Sequence, residues 1–460
     1  MAINGCNECL AKQRRIDELN EEVRRLKEKL NYQERKQKEG FFGSSTPSAK
    51  IPVKANTAEL ARKPKGARPG HKGNGRKVFI EADREVDVAP ATNGCCPICG
   101  GILQHKGSEQ RQVVDSRPIL AEKVVYTLPK DYCPGCHKTF QPSPPGVLPK
   151  SLYGNQLIVT ATVMHYLHGI PMGRICEQMG VGPGALVEVF HRLARIFDCV
   201  PEKLITWYRN SWVRHADETG WRTEGKNGYA WLFATPQISI FLFRKTRSGE
   251  VARYVLGQEA LPGFLVVDRY GGYNRAPCAI QYCYAHLKRA VEDLEKEFPD
   301  SPEILAFTGT LVPLLSAAMG LRNQAITDEE FYRKASEVKS SIIEAITSPA
   351  THLGIRNIQD IFQTQEKRLY HWAEDRNVPA DNNLSERDLR PTVIARKVSF
   401  GSGSDAGAHT RGVLMSVLWS LKKQAQDVSS HLKMVLDEVA RDMNQDPFPL
   451  LFPNAPPLSP

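Results

Sequence analysis

The chain has 460 residues, 41% of them hydrophobic and 24% charged, which is ordinary for a globular protein with several domains. No apolar run of about 18 residues is evident, and the N-terminal MAINGCNECLAKQRR lacks the apolar segment of a secretory signal, so we expect neither a membrane span nor export. Eleven cysteines, several in Cys-x-x-Cys pairs, fit a reducing cytoplasm better than a disulfide framework, and we expect a cytoplasmic protein.

The net charge of +10 is unevenly distributed along the chain. Residues 1–77 carry 19 Lys and Arg against 9 Asp and Glu, so the remainder is neutral overall. A basic arm on a neutral body indicates a polyanionic partner, most often nucleic acid. Charge alone leaves a merely solvated tail as the alternative.

The first predicted element is a helix within residues 10–39. Its apolar residues alternate three and four apart over about two heptads; they are Ile16, Leu19, Val23, Leu26 and Leu30. This seam, flanked by charges, predicts a coiled-coil dimerisation helix. Packing of the helix on the chain's own body is the alternative.

Residues 40–82 are predicted to form a flexible, basic DNA-binding arm. The segment is rich in Gly, Pro, Ser and basic residues and poor in large apolar ones, so it cannot bury enough surface to order itself. Its cations suit a phosphate backbone or a minor groove. They are Arg62, Lys63, Lys65, Arg68, Lys72, Arg76 and Lys77. A plain spacer is compatible with the same composition.

A zinc-binding domain is predicted over residues 83–142. The pairs Cys96-Pro-Ile-Cys99 and Cys133-Pro-Gly-Cys136 supply four thiolates, enough for a closed tetrahedral site holding structural Zn²⁺. The intervening KVVYTLP is strand-like, as in a zinc ribbon. A further Cys6-x-x-Cys9 pair cannot complete such a site without a second chain.

After a Pro-rich linker, residues 150–205 are predicted to form a helical domain. Two helical segments flank a Gly- and Pro-rich turn at 180–184, which is the arrangement of a helix-turn-helix. A helical hairpin without a DNA contact has the same pattern.

Residues 206–290 change to strands, and two acids occupy unusual positions there. WVRHADETGW, GYAWLFAT and ISIFLFRK predict three strands, followed by a short helix near 249–257 and a fourth strand in GFLVVDRYGGYN. Asp217 is predicted at the end of the first strand and Asp268 at the end of the fourth. In this strand order the two strands are neighbours, so their acids would share a divalent cation. Phosphodiester chemistry of this type requires a third carboxylate.

The stretch DNNLSERDLRPTVIARK offers candidates for that third carboxylate. They are Asp381, Glu386 and Asp388. Asn383 suits the N-cap of a helix and Glu386 its N3 position, so a capping box is the structural alternative. We expect Pro391 to end the helix near Arg390, which shares a face with Glu386. Glu386 is therefore the preferred ligand.

The segment CYAHLKR follows the second acid by about fifteen residues and begins a predicted helix. Its His286 would hydrogen-bond the scissile phosphate, or else serve as a structural histidine. Tyr270 and Tyr273 would pack on the DNA backbone or fill their own loop.

HADETGW, VVDRYGGYN, CYAHLKR and DNNLSERDLRPTVIARK together resemble the transposases of the insertion sequence 66 family, and the likeness extends over roughly residues 10–425. It implies a multidomain α+β protein with an RNase H-like catalytic domain. Asp217, Asp268 and Glu386 would form its Asp-Asp-Glu triad. The catalytic domain would comprise 206–290 and 375–408, separated by a helical insertion at 291–374. Helices at 409–443 and an unstructured Pro-rich tail at 444–460 complete the prediction.

The resemblance implies a transposase that binds the ends of its element, cleaves a DNA strand with water and joins the freed 3′ hydroxyl to target DNA. Two Mg²⁺ or Mn²⁺ ions, at least a dimer, and small accessory proteins are the corresponding cofactors and partners. The candidate phosphate contacts are Arg390, Arg396, Lys397 and His286. A DNA-binding regulator with an inactive nuclease-like domain and a nuclease without strand transfer are the alternatives.

Overall fold

The computed structural model describes residues 15–16, 18–27, 102, 121–129, 131–134, 137–140 and 142–457. The chain divides into two compact units, residues 1–46 with 121–460 and residues 47–120, and the elements described below belong to the first. The basic arm, Cys6, Cys9, Cys96, Cys99, Cys136 and the side chain of Cys133 lie outside the described residues. The predicted zinc site and DNA-binding arm therefore stay predictions.

Two short elements precede the main body. Residues 15–16 and 18–27 are helical. The seam residues of that helix within this range are exposed; they are Ile16, Leu19, Val23 and Leu26. Strands β1 (Asp131–Cys133) and β2 (Lys138–Phe140) pair antiparallel around the second Cys-x-x-Cys motif. The strand expected in KVVYTLP is wrong, because residues 121–129 have no regular structure and Val125 is exposed.

A five-stranded mixed sheet forms the centre of the protein. Its strands are β3 (Val213–Thr223), β4 (Lys226–Ala234), β5 (Ser239–Arg244), β6 (Phe264–Val267) and β7 (Ala279–Tyr282), in the order β5-β4-β3-β6-β7. The first three are antiparallel, whereas β6 and β7 run parallel to β3. The first and fourth predicted strands are thus neighbours, as expected. Strand β7 was not predicted from the sequence. It is as short as β6, but Gln281 interrupts the continuous apolar run that marks β6.

Helices surround this sheet and form the rest of the body. Before the sheet lie α1 (Asn155–Thr162), a π-helical turn (Val163–Leu167), α2 (Met172–Met179), α3 (Pro183–Ile196) and α4 (Val200–Arg209). Within and after it lie α5 (Gly249–Leu256), α6 (Tyr284–Glu297), α7 (Pro302–Leu321), α8 (Asp328–Thr347), α9 (Leu353–Thr364) and α10 (His371–Glu374). The last four are α11 (Asn383–Ser399), α12 (Asp405–Gln424), α13 (Val428–Arg441) and α14 (Pro447–Leu451). Short 3₁₀ turns occur at Gly271–Tyr273 and Glu366–Arg368.

Helices α2 and α3 are joined by a turn in which Gly180 has a left-handed φ of 65°. A glycine suits this position because it has no Cβ to strain the left-handed backbone. On the outer face of α3, Glu188 and Arg195 form an exposed ion pair. A DNA contact through these two helices stays a prediction.

Three expected domain boundaries lie inside helices. The boundary at 205/206 falls in α4, that at 290/291 in α6, and that at 408/409 in α12. Helix α12 is buried from Thr410 to Leu421 because β5 lies on one side of it and α3 and the π-helical turn on another. It therefore belongs to the common core rather than to a separate C-terminal layer.

The expectation of an unstructured tail is wrong for the residues described up to 457. Residues Pro447–Leu451 form α14, whose Asp446 N-cap accepts a hydrogen bond from the Phe448 amide. Phe448, Leu451 and Phe452 are buried, and Phe452 contacts Trp207 edge to face. These apolar side chains order the segment despite its prolines.

One helix among the described residues, α7, has the length and apolar composition of a membrane span. This corrects the expectation that no such apolar segment occurs. One face of α7 packs against α6 and α8, and core helices can have the same composition.

Candidate active site

Asp217 on β3 and Asp268 just after β6 are placed near each other by the pairing of these two strands. Strands β3 and β6 pair in parallel, with Val213 opposite Phe264 and His215 opposite Val266. The same register carried two residues further places Asp217 opposite Asp268, which directly follows β6. Asp217 accepts a hydrogen bond from the Glu218 amide (2.8 Å), and Asp268 accepts one from the Tyr270 amide (2.9 Å).

The sequence predicted Asp217 at the end of its strand, and this is wrong. Asp217 is the fifth residue of β3, which continues to Thr223 because its second half pairs with β4. The pairing of β3 with β6, however, stops at His215. Asp217 therefore lies where the parallel partner ends, so its carboxylate remains accessible to groups on other elements.

Glu386 reaches this edge of the sheet from α11, which packs against β3 and β4. Its Oε1 lies 3.9 Å from Nδ1 of His286 on α6, too far for a hydrogen bond. Both atoms are buried and lack a hydrogen-bond partner among the described residues. Oε1 of Glu386 and Nδ1 of His286 are therefore close together, but no hydrogen bond joins them.

The capping box considered as the structural alternative for Asn383 and Glu386 does not form in α11. The amide of Glu386 bonds to the carbonyl of Asn382, which makes Asn382 the N-cap and puts Glu386 one position beyond N3. The side chain of Asn382 does not cap the helix. It is buried against β3, where its Nδ2 donates to the Ala216 carbonyl (2.9 Å) and its Oδ1 faces Nδ1 of His215 (2.9 Å).

The electrostatics of the three acids favour a bound cation. Burial raises the pKa of Asp217 well above its usual value, and the carboxylates of Glu218, Asp268 and Glu386 raise it further. Burial also lowers the pKa of His286, so its imidazole is held toward the neutral form. Closely spaced carboxylates in a partly buried site repel one another unless a cation or protons neutralise them. Their hard oxygens, together with the unpartnered Oε1 of Glu386, fit Mg²⁺ or Mn²⁺.

Glu218, which was not among the candidates predicted from the sequence, is buried behind Asp217. It accepts hydrogen bonds from the Arg247 guanidinium (2.6 Å) and the Tyr273 hydroxyl. Burial, with Asp268 nearby, raises the pKa of Glu218 to about 7, although Arg247 and Tyr273 oppose the change. Arg247 also stacks 3.8 Å from the centre of the Tyr270 ring. Tyr273 is buried, so it fills its own loop and does not pack on the DNA backbone.

The two other acids of the α11 stretch have structural contacts. Asp388 accepts a hydrogen bond from Ser239 (2.7 Å) and pairs with Lys423 (2.6 Å), which joins α11 to β5 and α12. Asp381 accepts a hydrogen bond from the Asn383 amide (3.0 Å) just before the helix. The carboxylates of Asp388 and Asp381 thus bind these groups rather than Asp217.

The expectation that Pro391 ends the helix is also wrong, because α11 continues through it to Ser399. Proline removes the hydrogen bond to the carbonyl four residues earlier, that of the exposed Arg387, and its ring crowds that carbonyl. The packing of α11 on β3 and β4 offsets that loss.

The candidate DNA contacts on α11 have different surroundings. Arg390 and Lys397 are exposed. The Arg396 guanidinium donates to the Gly220 carbonyl (2.5 Å) and to Thr219 (3.3 Å), so it fastens α11 to β3. Arg396 thus has a structural role in addition to the contact expected from sequence.

Comparison with known proteins connects this geometry with a family. Residues 150–410, which include all three acids, match the family described as Transposase IS66 family. The uncharacterized protein y4jD of Sinorhizobium fredii is 21% identical over 394 residues, covering 77% of this chain and 76% of that protein. The uncharacterized protein y4qI of the same organism is 24% identical over 433 residues. The aligned region covers 84% of this chain and 78% of y4qI.

Proposed function

The chain belongs to the IS66 family of transposases, and from that premise we propose that it binds the ends of an insertion element, cleaves the DNA there and joins the freed ends to target DNA. The resemblance noted in the sequence is confirmed by this membership. The individual reaction steps are the proposal.

One observation carries the proposed chemistry. The pairing of β3 with β6 supports placing Asp217 near Asp268. The carboxylates of Asp268 and Glu386 both raise the pKa of Asp217, and Oε1 of Glu386 is buried without a hydrogen-bond partner among the described residues. We assign Asp217, Asp268 and Glu386 as ligands of Mg²⁺ or Mn²⁺. A divalent cation held by these oxygens supplies the Lewis acid for the attacking and leaving oxygens of a phosphodiester displacement.

Each step breaks one bond and forms one. In cleavage, water adds to phosphorus and the bond to the 3′ oxygen breaks, which leaves a free 3′ hydroxyl. In strand transfer, that hydroxyl attacks a phosphodiester of the target and displaces another 3′ oxygen. His286, held toward the neutral form, contributes a hydrogen bond to the scissile phosphate.

The proposed partners are inferred from the rest of the chain. The basic residues of 40–82, with Arg390 and Lys397, would contact phosphates. The exposed seam of the N-terminal helix would pair with a second copy, so that one assembly holds two DNA ends. Structural Zn²⁺ would be bound by Cys96, Cys99, Cys133 and Cys136.

The test is Glu386→Gln, which keeps the size of the side chain but removes its charge. We expect Mg²⁺-dependent cleavage of element ends to be abolished while DNA binding survives. Asp381→Asn in the same stretch is the matched control and should cleave normally. Cleavage by Glu386→Gln at the wild-type rate would refute the assignment.

Either of two further results would favour one of the alternative functions, a nuclease or a DNA-binding regulator. Pre-cleaved ends that are never joined to target DNA, despite active cleavage, would indicate a nuclease without strand transfer. Tight binding without cleavage at any tested Mg²⁺ or Mn²⁺ concentration would indicate a DNA-binding regulator.

A further inference from the structure

We propose that Cys283, His286 and Glu386 form a second, thiolate-containing metal site, and that Zn²⁺ bound there withdraws Glu386 from catalysis. The site itself depends only on the positions of these three ligands. Its effect on activity rests on the proposed function.

The three side chains converge from two helices. Cys283 is the residue before α6, and His286 is three positions later, so the two project from the same side of the first turn. Glu386 faces them from α11. One ligand atom from each of the three lies within 4.8 Å of those of the other two. Small side-chain rotations would bring them to the roughly 3.5 Å separation of two ligands on a tetrahedral Zn²⁺ with bonds of about 2.0–2.3 Å.

The cluster combines one buried ligand with two partly exposed ones. Cys283 is 1% exposed and forms its floor. The side chains of His286 and Glu386 are 24% and 26% exposed, so an ion can enter between them. The buried Nδ1 of His286 and Oε1 of Glu386 lack hydrogen-bond partners among the residues described. A metal ion would satisfy both atoms at once.

The donor set differs from that of the neighbouring carboxylates. Asp217, Asp268 and Glu386 offer only oxygen, which suits Mg²⁺. Sulfur, nitrogen and oxygen together suit Zn²⁺ or Co²⁺ instead. On binding, the thiol releases its proton to solvent, and a water molecule completes the fourth position of the ion.

Glu386 is the shared element of the two sites. When its carboxylate turns toward Cys283 and His286, it no longer faces Asp217 and Asp268. Zn²⁺ at the second site would therefore leave the oxygen site with two of its three acids. Zn²⁺ becomes an inhibitor that is antagonised by Mg²⁺.

Cobalt absorption tests the site without any need for activity. Co²⁺ is titrated into the full-length wild type carrying one Zn²⁺ per chain, which fills the proposed four-cysteine site and leaves the second site open, and thiolate-to-cobalt charge transfer is followed in the near ultraviolet. We expect a band that is lost in Cys283→Ser and in His286→Ala. Cys176→Ser, which alters another buried thiol, is the control and should keep the band. Equal bands in wild type and Cys283→Ser would overturn the site; Cys283→Ala provides a second variant if the serine disturbs folding.

Inhibition tests the consequence. Cys283→Ser should retain Mg²⁺-dependent cleavage but require about tenfold more Zn²⁺ or more for half-inhibition, since even a lost second-shell partner weakens metal binding about 10–100-fold. Identical inhibition of the two proteins would overturn the proposed withdrawal of Glu386. If the wild type cleaves no DNA even without Zn²⁺, the proposed function fails, while the cobalt band still decides the metal site.

Discussion

Asn382 and His215 meet across the interface between α11 and β3, with 2.9 Å between Oδ1 of the asparagine and Nδ1 of the imidazole. Because Nδ2 of Asn382 already donates to the Ala216 carbonyl, its Oδ1 accepts, and His215 must donate through Nδ1. Burial lowers the pKa of His215 to about 4, so the ring is neutral at physiological pH. This contact holds the start of the Glu386 helix beside the strand that carries Asp217.

Asn382→Ala should therefore reduce both stability and cleavage. It leaves the buried Nδ1 hydrogen of His215 without its acceptor, at a cost of about 1–3 kcal/mol, and removes the Nδ2 donor to the Ala216 carbonyl. Urea unfolding and end cleavage measure the two effects. The adjacent, exposed Asn383→Ala is the control, and a loss of equal size in both variants would contradict the role of Asn382.

Arg247→Ala should destabilise the protein more than the double change Arg247→Ala with Glu218→Gln. The single change leaves the Glu218 carboxylate buried and unpaired, and breaking a buried pair costs about 3–5 kcal/mol. Chemical denaturation of both variants gives the comparison. Lys245→Ala, which breaks the exposed pair with Asp405, is the control and should leave the stability nearly unchanged, because solvent screens exposed ion pairs. The prediction is wrong if the double variant is the less stable.

Asp217→Asn should stabilise the metal-free protein, and increasingly so as the pH rises. The pKa of Asp217 is raised in the folded state, so the unfolded chain ionises first as the pH increases above 3.8. The wild type therefore loses stability from there up through the folded pKa, a loss that the amide avoids. Melting temperatures at pH 5 and pH 8 test the sign.

Added Mg²⁺ should reverse that order. It stabilises the folded state of whichever protein binds it, so the wild type should gain more in melting temperature than Asp217→Asn. Equal gains in the two proteins would argue against Asp217 as a ligand.

Phe452→Ala should show that the C-terminal segment is part of the fold. Phe452 is 1% exposed and packs edge to face on Trp207, and its truncation should cost about 3–5 kcal/mol. The exposed Met443→Ala should change stability by no more than about 0.5 kcal/mol. Unfolding curves for both decide the question, and a neutral Phe452→Ala would restore the view of this segment as a tail.

Much of the sheet could be predicted from the sequence, because the residue patterns that favour its strands are local. The β3, β4 and β5 segments are long and rich in β-branched and aromatic residues, and α5 lies within one residue of its expected position. An acid directly after a short apolar run, as at Asp268, stands out in the same way. The four-residue β7 and the helix that continues through Pro391 do not, because neighbours distant in sequence stabilise them.

The sequence by itself indicated the family, the pairing of the first predicted strand with the fourth, and the three acids proposed as ligands, since these depend on short motifs and on periodicity. Only the tertiary structure showed that Asn382 binds β3 rather than capping its helix, across 167 residues of sequence, and that Glu218 is paired with Arg247. It also brought Cys283 and His286 to Glu386. Contacts of this kind depend on which buried polar groups meet when the chain packs, and hydrophobic pattern carries no information about that choice.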